Sequence, residues 1–390
     1  MIPYGKQEIS QEDIDLVNEV LRSDFLTQGP MVAKFESAVA EKCDVKYAVA
    51  VNSATAALHL ACLALGVKTG DYVWTTPITF VATANCAIYC GAEVDFVDID
   101  PKTYNLSTEQ LRIKLEKAEI EGKLPKVLIP VHLAGQSCDM KKIHELSLKY
   151  GFKIIEDASH AIGGKYFDEK IGNCKYSDIT VFSFHPVKII TTGEGGMVLT
   201  NRKDLYEKVY RLRSHGITRA AHEMTHSPDG PWYYQQLELG YNYRITDIQA
   251  ALGVSQLARL DEFVSKRHEI ANNYNEMLKD KDIIIPYQSP ENYSAYHLYI
   301  IRLDLKKNRF THREIFERFR SDGILVNLHY IPVYRQPFYE KMGFQPKDFP
   351  EAEKYYSEAI SIPIYPSLTL EEQKKIVYRL VTPIGHQTIF

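Results

Sequence analysis

Three short segments carry residue types that could do chemistry together. Asn52-Ser53-Ala54-Thr55 follows the apolar run Tyr47–Val51 and opens an Ala/Leu-rich stretch. Small hydroxylated residues at a helix start present hydroxyls and unpaired backbone N–H groups, which suits a phosphate or another anion. Glu156-Asp157-Ala158-Ser159-His160 ends a second apolar run. A carboxylate at such a strand tip can keep a basic ring nitrogen protonated through a charge-assisted hydrogen bond. Ser183-Phe184-His185-Pro186-Val187-Lys188 follows a third run, ahead of the Gly-rich turn Thr191–Gly196. A lysine screened from water there loses proton affinity and can attack a carbonyl carbon. Taken singly, each segment has an ordinary alternative: a helix cap, a solvated acid, a surface lysine. Together they supply an anion site, a partner for a ring nitrogen and an amine nucleophile, which are the needs of pyridoxal 5′-phosphate. No GxGxxG or GxxxxGK[ST] run offers a dinucleotide or P-loop reading instead.

Such side chains have to be held by a rigid scaffold, and the hydrophobic pattern indicates which. Short apolar runs recur at Tyr47–Val51, Tyr72–Thr75, Glu93–Asp98, Val127–Val131, Phe152–Glu156, Ile179–Phe182 and Met197–Thr200. Helical segments such as Ala56–Leu65, Ser107–Lys117, Met140–Tyr150 and Leu205–Arg213 separate most of them. This alternation predicts an α/β domain with a mostly parallel sheet of seven strands, covered on both faces. In such sheets ligands bind outside the carboxyl ends of the strands, which is where all three segments fall. Ser10 caps a first helix through Val17 and Leu21. Asp247 to Leu278 reads as one long helix or two in sequence, followed by a smaller α+β pattern. That pattern has strands at His297–Leu303 and Ile324–His329 and capped helices after Thr311 and Thr369. The expected division is a large domain over 1–245, with an N-terminal arm over 1–30, and a small C-terminal domain over 246–390.

Composition narrows the function classes. The 390 residues hold 46 Lys+Arg against 50 Asp+Glu, a formal charge of −4, with no basic stripe of the kind nucleic acid requires. No apolar stretch is long and uninterrupted enough for a membrane span, and the first residues lack the pattern of a secretory signal. The six cysteines, without CxxC spacing, read as free thiols of a reducing compartment, and the protein as cytoplasmic. Cys86 and Cys90 read as core thiols. Trp232-Tyr233-Tyr234 could line a sugar site, although core or interface packing is the preferred reading. His222-Glu223-Met224-Thr225-His226 matches the HExxH pattern of zinc hydrolases. That motif works only on a helix, and Ser227-Pro228-Asp229-Gly230-Pro231 follows at once, so no metal is expected.

Further segments match in order from end to end. They are Leu26-Thr27-Gln28-Gly29-Pro30, Asn52–Leu58, Thr76-Pro77-Ile78-Thr79-Phe80, Glu156–Ala161, Ser183–Lys188, Gly240-Tyr241-Asn242-Tyr243-Arg244 and Ile248-Gln249-Ala250-Ala251. On these the chain resembles the DegT/DnrJ family of sugar aminotransferases, with the fold-type-I, aspartate-aminotransferase-like architecture. The resemblance implies that Lys188 bonds the aldehyde of pyridoxal 5′-phosphate, Asp157 holds the pyridinium proton and Phe80 stacks on the ring. Ser53, Ala54, Thr55 and Ser183 would surround the phosphate, with His160 near the ring hydroxyl where many relatives have Gln. Asn242 would reach the phosphate of the neighbouring subunit in a homodimer with shared active sites. Gln28, His329 and Tyr330 would contact a sugar nucleotide. Glutamate, giving 2-oxoglutarate, is the implied donor. The implied acceptor is C4 of a UDP-linked 4-keto-6-deoxy-N-acetylhexosamine, as in pseudaminic acid biosynthesis. A dTDP-linked sugar and C3 amination are the alternatives. Many relatives have Gly at the position of Ala54, so the methyl fits only if the backbone there keeps a negative φ. Relatives that dehydrate have His in place of the lysine, so Lys188 points to transamination.

Overall fold

Apolar runs of this brevity, spaced by amphipathic segments, can bury themselves only as strands in a layered sheet. The computed structural model describes residues 1–307 and 310–381 and contains that sheet. Its seven strands are β1 (Tyr47–Val51), β2 (Tyr72–Thr75), β3 (Glu93–Phe96), β4 (Val127–Ile129), β5 (Lys153–Asp157), β6 (Ile179–Ser183) and β7 (Gly196–Thr200). Their order is β1-β7-β6-β5-β4-β2-β3. Every pairing from β6 through β3 is parallel, while β7 runs antiparallel to both β1 and β6. β6 and β7 are buried at every residue, as strands covered on both faces should be. Because β1, β2, β5 and β6 point the same way, the loops after them gather along one edge of the sheet.

The helices begin where the sequence supplies caps. Ser10 opens α1 (Gln11–Leu21) with a reciprocal capping box to Asp13. Gly29 precedes α2 (Pro30–Cys43), whose proline occupies the first turn, where no N–H is missed. Ser53 caps α3 (Ala54–Ala64) by accepting from Ala56 N–H at 3.1 Å. α4 (Ala82–Tyr89) and α3 pack together on one face of the sheet. α5 (Thr108–Glu121), α6 (Met140–Tyr150) and α7 (Lys203–Leu212) complete the layers.

After Ile245 the chain leaves the sheet. Thr246 forms a capping box with Gln249 and starts α8 (Asp247–Ala258), which ends at Arg259 before α9 (Leu260–Leu278), so the long helical stretch is two helices. Beyond them β8 (Ile283–Ile284), β9 (Tyr299–Leu303) and β10 (Ala359–Ile362) form an antiparallel sheet in the order β8-β9-β10. α9, α10 (His312–Ser321) and the last helix, Leu370–Val381, share an apolar core with it. Ile2 joins that core, donating its N–H to Gly323 and accepting from Leu325, both at 2.8 Å. The Thr311 and Thr369 caps form as expected.

One expected strand does not form. Ile324–His329 makes only isolated bridges, Ile324 with Ile2 and Asn327 with Ser361. Val326 N–H turns back to Ile324 O, which interrupts any ladder, and the segment from Asn327 to Tyr330 is diverted to line a cavity. Residues 382–390, the end of the expected C-terminal domain, lie outside the described residues.

Candidate active site

The loops after β1, β2, β5 and β6 close around a cavity of about 550 Å³. Ser53, Ala54, Thr55, Phe80, Asp157, His160, Ser183, Lys188, His329 and Tyr330 all line it. Residues drawn from separate parts of the sequence are thus brought together.

Asp157 is the last residue of β5 and is 4% exposed. Its carboxylate is held on two sides. Oδ2 accepts from Thr83 Oγ1 at 2.7 Å, and Oδ1 accepts from Ser159 Oγ at 2.6 Å and Ser159 N–H at 3.2 Å. Thr79 Oγ1 adds a 2.8 Å contact to Thr83 from the preceding turn. A buried carboxylate held this way is fixed in orientation rather than free to rotate toward solvent.

Lys188 follows β6 on a tight loop, its N–H bonded to His185 O at 2.9 Å. The amine faces the cavity, and enough protein surrounds it that burial pulls its pKa from 10.5 down to about 8, with the Asp157 charge acting in the opposite direction. The loop returns through Thr191 and Thr192, which both bond Phe184 O, and Phe184 N–H donates to Gly195 O at 2.9 Å. Gly196 has a steric reason to be glycine: a Cβ there would lie 2.6 Å from Ala54 N and from the Ser53 carbonyl. β7 therefore passes directly under the Ser53–Ala54 turn.

That turn fits an anion. Ala54 and Thr55 are the first residues of α3, whose leading N–H groups have no partner within the helix, and Ser53 Oγ already serves Ala56. Ala54 is absent from the residues with positive φ, so its methyl is compatible with the turn. A helix N-terminus, a buried fixed carboxylate and a depressed amine around one cavity are a donor set that pyridoxal phosphate fits.

Three neutral histidines also line the cavity. His160 accepts from Ala134 N–H at Nδ1 (3.3 Å), which leaves the proton on Nε2 facing Tyr330 Oη at 3.2 Å. Burial, then the Lys188 charge, push its pKa well below the usual value. His297 packs on it with ring centroids 4.3 Å apart and is depressed for the same primary reason. His329 is lowered to about 3 by burial and by Lys188, and its Nδ1 meets Ser361 Oγ at 2.8 Å. Burial raises the Tyr330 phenol. Phe80 is 58% exposed and tilts toward Tyr330 at 6.2 Å between ring centroids, leaving its face open to the cavity.

Thr83, Ser159, His297, Asn327 and Tyr4 also line the cavity and were not singled out from sequence. Thr79 and Thr83, four residues apart beside Phe80, were the legible signal. Tyr4 and Asn327 come from remote chain segments that no local pattern links.

Gln28 and Asn242 are not in this cavity. Gln28 lines a second one, of about 610 Å³, with Arg213, Ser214, His215, Arg219, Tyr234 and Arg244. Asn242 is exposed and bridges Ser214 on its rim. Tyr234 is 51% exposed and Trp232 72%, so neither is a core aromatic. The HExxH segment is turn rather than helix, and Glu223 is committed to Arg211 and Thr218. Its histidines therefore lack the shared helical face that a zinc hydrolase requires. No group of three potential metal ligands occurs among the described residues.

A mostly parallel seven-stranded sheet with a depressed amine, a fixed carboxylate and a helix N-terminus at its carboxyl edge defines a fold-type-I, pyridoxal-phosphate-dependent aminotransferase. The chain belongs to the DegT/DnrJ/EryC1/StrS aminotransferase family, whose pattern matches residues 7–381. It is 40% identical over 379 residues to the UDP-4-amino-4,6-dideoxy-N-acetyl-beta-L-altrosamine transaminase of Campylobacter jejuni, covering 96% of this chain and 95% of that protein. It is 39% identical to the spore coat polysaccharide biosynthesis protein SpsC of Bacillus subtilis, with 96% and 95% covered. Among solved structures, Helicobacter pylori PseC, an aminotransferase involved in the biosynthesis of pseudoaminic acid, superposes with a TM-score of 0.88 at 32% identity, over 97% of this chain and 98% of that one.

Proposed function

We propose that the protein transfers the amino group of glutamate to C4 of a UDP-linked 4-keto-6-deoxy-N-acetylhexosamine, in a pathway of the pseudaminic acid type. The observation that carries the reaction class is Lys188, a depressed amine in the same cavity as the fixed Asp157 carboxylate. The sugar class is supported by the names of the Campylobacter and Helicobacter relatives.

When bound, pyridoxal phosphate supplies an aldehyde that accepts the amine and a protonated ring that withdraws electrons. In this proposal Lys188 Nζ holds the aldehyde at rest and, once displaced, is the base that takes the α-proton of the donor. Asp157 keeps the ring nitrogen protonated, Phe80 covers the ring, and Ser53, Ala54, Thr55 and Ser183 surround the phosphate. His160 lies toward the ring hydroxyl, and His329 and Tyr330 meet the sugar. With all three histidines neutral, they offer hydrogen bonds in the Lys188 cavity without competing for its proton.

We further propose a homodimer in which one copy completes the site of the other. Gln28 and the Asn242 segment lie around a second cavity, lined by Arg213, Arg219 and Arg244 with Glu36 and without Lys188, as groups serving a neighbour's site would. The exposed Trp232, Leu237 and Leu239 nearby supply apolar surface for such a contact. We divide the chain into a large domain, 1–245, and a small one, 246–390, at the Thr246 cap. Among the described residues no helix is long and apolar enough to cross a membrane. The six free thiols suit a reducing compartment such as the cytoplasm.

The test is a panel of UDP- and dTDP-linked 4-keto and 3-keto sugars with glutamate as donor. Mass spectrometry reads amine incorporation, and NMR its position. Preferred amination of a UDP-linked 4-keto sugar is expected. Preference for a dTDP-linked or 3-keto sugar would replace the substrate assignment, and no incorporation from any of them would remove it.

A further inference from the structure

Asn105 lies outside the Lys188 cavity but is joined to it by a run of hydrogen bonds. It is 2% exposed, and both ends of its side-chain amide are engaged. Oδ1 accepts from Leu133 N–H and Nδ2 donates to Gln136 O, each at 2.9 Å. Those partners are the two ends of one short turn. The amide therefore closes the turn as a clamp, and its contacts are lost if the turn opens.

That turn has a backbone that needs holding. Ala134 sits at φ +60°, in the left-handed region that residues other than glycine disfavour. Gly135, at φ +105°, has no room for a side chain, since a Cβ would lie 2.8 Å from Tyr296 N. The turn also receives the segment that leads into β9. Gly135 O accepts from Ala295 N–H at 3.0 Å, and Ala134 O accepts from Leu298 N–H at 3.3 Å. The Ala134 N–H is left for His160 Nδ1, to which it donates at 3.3 Å. The sense of that bond decides the rest of the chain. With Nδ1 accepting and the ring neutral, the single ring proton is on Nε2 and is given to Tyr330 Oη at 3.2 Å. Tyr330 then accepts from His160, and its own hydroxyl proton is free for whatever occupies the cavity. In the other tautomer two N–H groups would face each other at Ala134. Tyr330 would then have to donate to Nε2, and would offer the cavity only an acceptor.

We propose that Asn105 is a positioning residue that sets the direction of this hydrogen-bond chain, so that Tyr330 presents a donor to an acceptor oxygen of the bound sugar nucleotide. Asn105 touches neither ligand nor His160. It acts by holding the turn whose Ala134 N–H selects the His160 tautomer. The consequence for the sugar rests on the function proposed above, whereas the tautomer is a property of the protein alone.

The test has two arms. In the first, full-length protein carrying nitrogen-15 histidine is read by long-range proton–nitrogen NMR, with His160 assigned by the signal lost in His160→Gln. The wild type should show His160 protonated on Nε2 alone. Asn105→Ala should populate the Nδ1–H form. Asn105→Asp keeps an acceptor for Leu133 N–H but loses the donor to Gln136 O, so it should shift the ratio the same way by less, and it serves if the alanine variant does not fold. Ala134→Gly keeps the N–H and suits the left-handed backbone, so it should leave the tautomer as in the wild type. In the second arm, turnover is measured with the sugar nucleotide that the substrate panel selects. Asn105→Ala, or Asn105→Asp in its place, should lower kcat/KM roughly 2- to 10-fold when Tyr330 is present and no further in Tyr330→Phe. A wild-type His160 carrying its proton on Nδ1 would overturn the proposal. So would an unchanged tautomer in the folded Asn105 variants, or an equal loss of turnover with and without the Tyr330 hydroxyl. If no sugar nucleotide is turned over, the substrate reading fails and the first arm still decides whether Asn105 sets the tautomer.

Discussion

The amine of Lys188 offers a quantitative prediction, because burial lowers it to about 8 while Asp157 alone acts to raise it. At about pH 7 roughly a tenth of such an amine is free base, against roughly one part in 3,000 for an ordinary lysine, a gain of about 300-fold in nucleophile. Asp157→Asn removes the raising charge, so the midpoint falls below that of the wild type. Since about a tenth is already free, capture of the aldehyde at pH 7 can quicken by at most about tenfold. Turnover moves the opposite way. Losing a charge-assisted partner for the ring nitrogen costs about 1.5–3 kcal/mol, or roughly 10–150-fold in rate. The assay is stopped-flow mixing of cofactor-free protein with pyridoxal phosphate over about pH 6 to 10, reading the rate of covalent capture. The wild-type rate should climb with pH and flatten near 8. A rate still climbing at about pH 10, or a variant midpoint above the wild type, refutes the reasoning.

Three further outcomes follow from the same geometry. Lys188→Met removes a cation held in a cavity that disfavours it. It should stabilise the cofactor-free protein at neutral pH by up to about 3 kcal/mol. The folded pKa is depressed, so the wild type recovers that stability as pH rises from about 8 toward 10.5, and the gap in thermal midpoint should close over that window. An unchanged gap across the window argues against the depressed amine. Thr83→Val deletes the 2.7 Å donor to Asp157. It should cut turnover by roughly tenfold or more, with Thr83→Ser restoring most of it, and an active valine variant would show that the carboxylate does not need this partner. Asn242→Ala should hasten cofactor loss on dialysis without changing the oligomeric state. Unaltered retention, or full activity from a monomer, would remove the shared-site proposal.

Much of the fold was legible because buried strands and capped helices carry local signals. Tyr47–Val51 and Tyr72–Thr75 form with the predicted bounds, and the Ser10, Thr311 and Thr369 caps do their expected work. Ile324–His329 was apolar enough to read as a strand, yet its backbone was claimed by the cavity wall, a tertiary demand with no sequence period. The loops bearing Asp157 and Lys188 were readable because strand tips and glycines mark them. His297 was hidden as a strand residue, and Tyr4 by its distance in sequence. Gln28 reads as a neighbour of the site but lies beside Arg213 and Arg244, since a motif gives order along the chain and not which cavity it faces. Cys90 was taken for a core thiol because spacing alone does not reveal that a helix ends there with solvent beside it.

The central claim is that the Lys188 amine holds the aldehyde of pyridoxal phosphate. Borohydride reduction of the protein with its cofactor, followed by peptide mass spectrometry, addresses it most directly. The account predicts a pyridoxyl group on the peptide containing Lys188 and none elsewhere, lost in Lys188→Ala. Label on another lysine, or no label from a protein that still turns over, would contradict it.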